Sequence, residues 1–318
     1  MNRSPRAPII KNDSAFQVWK PRKRQEGGQV RSKHTVNPYN TGVFGSLKDL
    51  GDNPWLVLGG GGLKGISEVG VLRALSEAGI RPAGIVGTSI GSLIGAFAAS
   101  DMDWKDMWDI ALAMDKQDVV QLNRRVVWIN GIRQRSVFQG ATLRDYFSKI
   151  LPENGWEAMK IPLLINAVDL GDGSTEWFGI GGRLDVSLAD AVYASSALPV
   201  FYPPLEVDGR AFVDGGTSHP LALQRAHEAG ASSIIGVDVG AGETGDVESI
   251  LEQGMLAVHQ RIFAIMTWRR RQELVAEWDG PPLIYIRPQL EGYGTFDFDS
   301  VEYFLEEGYC AARKALSG

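Results

Sequence analysis

Two strand–turn–helix units follow one another between residues 54 and 100, and they constrain the fold more than any other stretch of the chain. In the first, the apolar run "PWLVLGG" reads as a buried strand, and the glycines of "LGGGGLKGIS" turn the chain. "ISEVGVLRALSEAGI" then sets Val69, Leu72 and Leu75 on one helical face before Gly79 ends the helix. In the second, "AGIVGTSIGSLIGAFAAS" repeats strand, sharp turn and helix. Short apolar runs alternating with helical periodicity predict an α/β fold with a largely parallel sheet. Both turns then fall at the carboxyl edge of the sheet, where open α/β folds hold ligands.

Beyond residue 100 the pattern is less regular. Residues 101–160 read as helix and loop around "INGIRQRSVFQG". Strands are expected at "PLLINAVDL", "STEWFGI", "AFVDGG", "SIIGVDV" and "PLIYIRP", and helices at "SLADAVYASSA", "PLALQRAHEAG", about 248–278 and "SVEYFLEEGYCAARKALS". The stretch "LPVFYPPLEVDGR" reads as a loop. With no repeat of fixed period, one domain over 54–318 is expected, behind an extension over 1–53. That extension differs in charge: residues 1–50 carry ten Lys/Arg against three acids, while the whole chain has a formal charge of −6. Clustered basic side chains are attracted to anionic lipid or nucleic acid. A solvated extension is the plainer reading, and no nucleic-acid partner is expected.

The glycine loop admits several chemistries. Gly60, Gly62 and Gly65 fit GxGxxG in a strand–turn–helix context, as a dinucleotide site requires. The end of the second strand, "IVGTSIGS", lacks the carboxylate that would hold a ribose, so that reading loses its second support. A phosphate-binding loop needs Ser or Thr after the lysine, whereas Lys64 is followed by Gly65. Tight strand–helix packing explains one or two glycines but not four, given their entropic cost. What remains is a nest of backbone N–H groups that stabilises negative charge.

"GTSIG", residues 87–91, is G-x-S-x-G between a strand and a helix, the setting of a nucleophile elbow. Gly87 and Gly91 let a sharp turn present Ser89, which is the candidate nucleophile; the competing role is an N-cap of the helix that follows. A serine hydroxyl needs a base. His227 and His259 fall inside expected helices, which leaves His219, in "DGGTSHP", and Asp214, at the end of the strand "AFV". Gly215 and Gly216 clear space beside Asp214, although an Asp opening a turn is often only a turn former.

With "GGGGLKG", "GTSIG", "ASSALPVFYPP" and "VDGG" in that order, the chain resembles the patatin-like phospholipases over roughly residues 54–315. The resemblance implies a three-layer α/β/α fold with a central, mostly parallel sheet, related in architecture to the α/β-hydrolases. It implies a Ser–Asp dyad of Ser89 and Asp214, without catalytic histidine, and oxyanion-hole glycines at Gly60, Gly61 and Gly62. Lys64 stands where the family often has Arg or Lys, and its role stays open. The implied activity is acyl-ester hydrolysis of phospholipids or other acyl lipids through an acyl-enzyme, with no cofactor and no metal. The alternative is a non-catalytic lipid-binding or regulatory protein of the same fold.

The rest of the sequence agrees with such a reading. One cysteine, Cys310, excludes an intrachain disulfide, and the four histidines lack metal-site spacing. No apolar run approaches the roughly 18 residues of a membrane span, and no secretory signal opens the chain, so a cytoplasmic location is expected. "GMLAVHQRIFAIMTWRRR" sets Met255, Val258, Ile262, Ile265 and Met266 near helical spacing and ends in a basic run. It reads as an interfacial helix at the periphery of a membrane or, as such stripes more often are, as a face packed on the core. Oligomeric state is not legible.

Overall fold

A computed structural model describes residues 43–44, 50–51, 53–122, 135–240, 242 and 244–317. Most of the basic extension expected over 1–53, and part of the "INGIRQRSVFQG" stretch, lie outside the described residues. The strands are β1 Val43–Phe44, β2 Trp55–Leu58, β3 Gly84–Gly87, β4 Leu163–Asp169, β5 Thr175–Gly179, β6 Leu205–Val207, β7 Arg210–Asp214, β8 Ile234–Val237 and β9 Leu283–Ile286. The helices are α1 Ser67–Glu77, α2 Ile90–Ala99, α3 Trp104–Ala113, α4 Lys116–Val119, α5 Gly140–Ile150, α6 Leu188–Ser196, α7 Leu223–Glu228, α8 Val247–Glu252, α9 Met255–Ala276 and α10 Val301–Ser317.

Five central strands run parallel in the order β9-β8-β2-β3-β4, while β1, β5, β6 and β7 pair antiparallel at the margins. Alternate strand residues point to opposite faces. Leu56, Leu58, Ile85 and Ile165 join a core that takes in α1, α2, α6 and α10, whereas Val57, Val86 and Leu164 face α7 and Val275 of α9. The result is the three-layer α/β/α arrangement. Both layers are apolar, which is why the strands read as continuous hydrophobic runs.

The helix ends follow local chemistry. Asp103 accepts the Lys105 N–H at 2.9 Å to cap α3, Ser187 accepts the Asp190 N–H at 3.1 Å to cap α6, and Gly79, at φ 72°, closes α1. Two expectations need correction. The stretch expected as a loop contains β6, joined to β7 by Asp208 and Gly209 at φ 51° and 73°, a hairpin turn that Asp-Gly favours. The long helix expected over 248–278 is two, α8 and α9, because Gly254 at φ 81° breaks it.

One detail of register positions the site. β5 pairs with Leu164–Val168 of β4, so β3, which pairs with Leu163–Ile165, and β7, which pairs with Ala167–Asp169, must share the opposite edge. Parallel β3 ends there at Gly87 and antiparallel β7 ends at Asp214. The two strands therefore finish facing each other along one edge of β4.

Candidate active site

Ser89 follows β3 at φ 55° and ψ −127°, a backbone conformation that costs an L-residue about 1–3 kcal/mol. The surroundings hold it there. The Gly91 N–H donates to Thr88 O at 2.9 Å, the Ser92 N–H and Oγ both donate to Ser89 O at 2.8 and 2.6 Å, and the Ser89 N–H donates to Ser195 Oγ at 2.8 Å. Gly87 and Gly91 sit where the turn is tightest: a Cβ on Gly87 would lie 2.5 Å from Gly91 O. Ser89 occupies the N-cap position of α2 but makes no side-chain cap. Its hydroxyl donates instead to Asp214 Oδ2 at 2.8 Å.

Both carboxylate oxygens of Asp214 are engaged. Oδ1 accepts the Gly216 N–H at 2.7 Å and so forms the turn, while Oδ2 faces Ser89. Gly215 packs on Asn166, whose Nδ2 donates to Gly215 O at 3.1 Å and His219 O at 3.3 Å. Thr88 Oγ1 donates to His219 O at 3.0 Å, which ties this turn to the elbow. Burial pushes the Asp214 carboxyl up to about 6, against the lowering effect of its hydrogen bonds from Gly216 and Ser89. The imidazole of His219 points elsewhere, with Nδ1 3.2 Å from Thr175 Oγ1 and its ring against Trp177.

The glycine loop lies between these groups and the turn after β8. Gly60 is against the nucleophile, and a Cβ there would be 3.2 Å from Ser89 Cβ. Its N–H is engaged by Pro220 O at 3.0 Å, whereas among the described residues no protein acceptor pairs with the N–H of Gly61 or Gly62. Gly62 has φ 62°, and a Cβ on Gly61 would lie 2.6 Å from Val239 O, so side chains are excluded at both. Gly65 packs on Ile90 at the start of α2. Lys64 is buried, donates to Tyr293 O at 3.3 Å, and has its ammonium lowered to about 8, chiefly by desolvation. Behind the loop, Glu68 is fully buried, and desolvation raises its carboxyl well above the usual range.

Ser89, Asp214 and the loop open into one cleft enclosing about 1110 Å³ of space, part of it open to solvent. Leu143, Tyr146, Phe147, Leu198, Phe201 and Phe296 make one wall apolar. Another part of the lining comes from α9 and includes His259, Phe263, Thr267 and Arg271. Arg271 pairs with Asp238 at 2.9 Å with both side chains buried, and Asp238 also receives the Gly240 N–H at 2.9 Å and the Tyr285 hydroxyl. This pair anchors α9 to the turn against which Gly61 rests. Among the described residues, no His, Cys, Asp and Glu cluster has the makings of a metal site.

Sequence reasoning brought Ser89, Asp214 and the glycines to one place. It gave no role to Ser195, although "ASSALPVFYPP" contains it, and it set His259 aside as mid-helix, a position that does not reveal which helical residues face the cleft. The Asp238–Arg271 pair left no local signal at all.

A family model described as Patatin-like phospholipase matches residues 56–227. Similar proteins include patatin-like phospholipase domain-containing protein 7 of Mus musculus, 27% identical over 80% of this chain and 20% of that protein. Lysophospholipase NTE1 of Saccharomyces cerevisiae is 26% identical over 83% of this chain and 16% of its own length. The chain thus spans about a fifth or less of the curated relatives it matches. Among solved structures, VipD from Legionella pneumophila aligns with a TM-score of 0.46 and 17% identity, over 84% of this chain and 67% of that one. No helix among the described residues is long and apolar enough to cross a membrane.

Proposed function

This chain belongs to the patatin-like phospholipase family, and from that premise we propose that it hydrolyses fatty-acyl esters of phospholipids or other acyl lipids with Ser89 and Asp214. The observation that carries the reading is the 2.8 Å hydrogen bond from Ser89 Oγ to Asp214 Oδ2. A serine held at an unusual φ, not capping its helix and donating to a buried carboxylate, is arranged for nucleophilic attack.

In the proposed reaction Asp214 Oδ2 takes the Ser89 proton as Oγ attacks the ester carbonyl. The N–H groups of Gly61 and Gly62 stabilise the oxyanion, with Gly60 shaping the loop. As the tetrahedral intermediate collapses, the bond to the leaving alcohol breaks and Asp214 returns the proton to it, leaving Ser89 acylated. Asp214 then deprotonates water, which attacks the acyl-enzyme; the fatty acid leaves and Ser89 regains its proton. The wall of Leu143, Phe147 and Phe201 suits an acyl chain.

Product analysis tests this directly. Phosphatidylcholine and lysophosphatidylcholine are incubated with wild type and Ser89→Ala, and released fatty acid is measured. Release by wild type alone is expected; no release from any acyl ester by wild type would point to the non-catalytic alternative.

A further inference from the structure

We propose that the outward face of α8 and α9, together with the exposed Val200, is a surface on which the protein docks to a lipid bilayer. The inference rests on the lipid-hydrolase reading for its choice of occupant. Met255 is 91% exposed, Val247 68%, Leu251 66%, Met266 61% and Ile262 53%, so these large apolar side chains face water. At 3.6 residues per turn, Met255, Ile262 and Met266 fall within about 40° of arc on α9. Val247 and Leu251, four residues apart, share a face of α8. The sequence pattern favoured packing on the core; these side chains do not pack there.

The other face of α9 is the wall of the cleft, through Phe263, Ala264 and Thr267. One helix thus presents apolar groups both to the cleft and to the outside. Pro199 and Phe201 also line the cleft, while Val200 between them is exposed. Val200 is held at φ 73°, a conformation that a β-branched residue resists, and its carbonyl accepts the Val137 N–H at 2.8 Å. The geometry therefore sustains an outward valine between two cleft-lining residues against its own backbone preference.

A bilayer fits this surface better than a protein. Hydrocarbon contact would bury the exposed apolar groups and set α9, whose other face lines the cleft, against the lipid that the proposed reaction consumes. Arg269 and Arg270, exposed one turn beyond Met266, are placed for headgroup phosphates. Glu248 and Glu252 on α8 and Glu273, 3.7 Å from Arg270, offset that charge, so the attraction is mainly apolar and zwitterionic vesicles should suffice.

The test compares wild type with Met255→Ser/Ile262→Ser/Met266→Ser, none of which lines the cleft. Flotation with phosphatidylcholine vesicles, hydrolysis of vesicle phospholipid and hydrolysis of a soluble short-chain ester are measured. At least a tenfold loss of vesicle binding and of vesicle hydrolysis is expected, with the soluble-ester rate within twofold. Val200→Gly, which removes the exposed methyls and relieves the backbone, should also weaken flotation without lowering Tm. Undiminished flotation, a parallel fall in both hydrolytic rates, or a wild-type dimer that the triple substitution dissociates would overturn the proposal. If wild type floats with vesicles yet cleaves neither substrate, and the triple variant does not float, docking stands and the hydrolase reading fails.

Discussion

Asp214 accepts the Ser89 hydroxyl at 2.8 Å across 125 residues of chain, while its second oxygen is held by the Gly216 N–H. Among the described residues neither oxygen is hydrogen-bonded to an imidazole, and burial raises the carboxyl to about 6. As the proposed base works only when ionised, kcat/KM should rise with pH to a plateau above roughly pH 7 and fall about tenfold per unit well below 6. A profile flat from pH 4 to 8 would remove Asp214 from that role.

Asp214→Asn should lower kcat by about a hundredfold to ten-thousandfold, the usual worth of a general base. Stability should move the other way. A raised carboxyl pKa contributes stability that is full below the unfolded value and is lost as pH rises through about 6. Asparagine carries no charge, so at pH 8 the variant's Tm should equal or exceed that of wild type. His219→Ala, which loses the contact with Thr175, should retain most activity. A deficit as deep as that of Asp214→Asn would restore histidine to the mechanism.

Ser195→Ala leaves the buried Ser89 N–H without its acceptor, a loss of about 1–3 kcal/mol. Because that bond holds the elbow, kcat should fall while KM changes little. Chemical denaturation and steady-state kinetics on the same preparation separate the two effects.

Gly61→Ala places a methyl 2.6 Å from Val239 O, so the loop must shift. Displacing one oxyanion donor costs about 2.7–4 kcal/mol of transition-state stabilisation. A fluorophosphonate should still label Ser89 in this variant, more slowly, whereas Ser89→Ala should not be labelled; full activity in Gly61→Ala would place the oxyanion elsewhere.

Arg271→Ala strands Asp238 as an uncompensated buried charge and should destabilise the fold by about 3–5 kcal/mol. Unfolding in urea measures it. A change below about 1 kcal/mol would mean that the pair does little to hold α9 in place.

What the sequence alone determined was local: the strand–turn–helix units, the glycine loop and the sharp turn at Ser89. Steric demands at successive residues decide these, and residue type and spacing record them. Even the missed β6–β7 hairpin was written locally, in Asp208 and Gly209. Tertiary structure decided the rest. Occupation of one edge of β4 by β5 brings β3 and β7 together on the other and so selects Asp214 over His219 as the partner of Ser89. The claim of Pro220 O on the Gly60 N–H leaves Gly61 and Gly62 as the donors unpaired among the described residues, and packing leaves Met255, Ile262 and Met266 facing outward. An apolar period marks a helical face but not what lies against it, because that depends on segments far away in the chain.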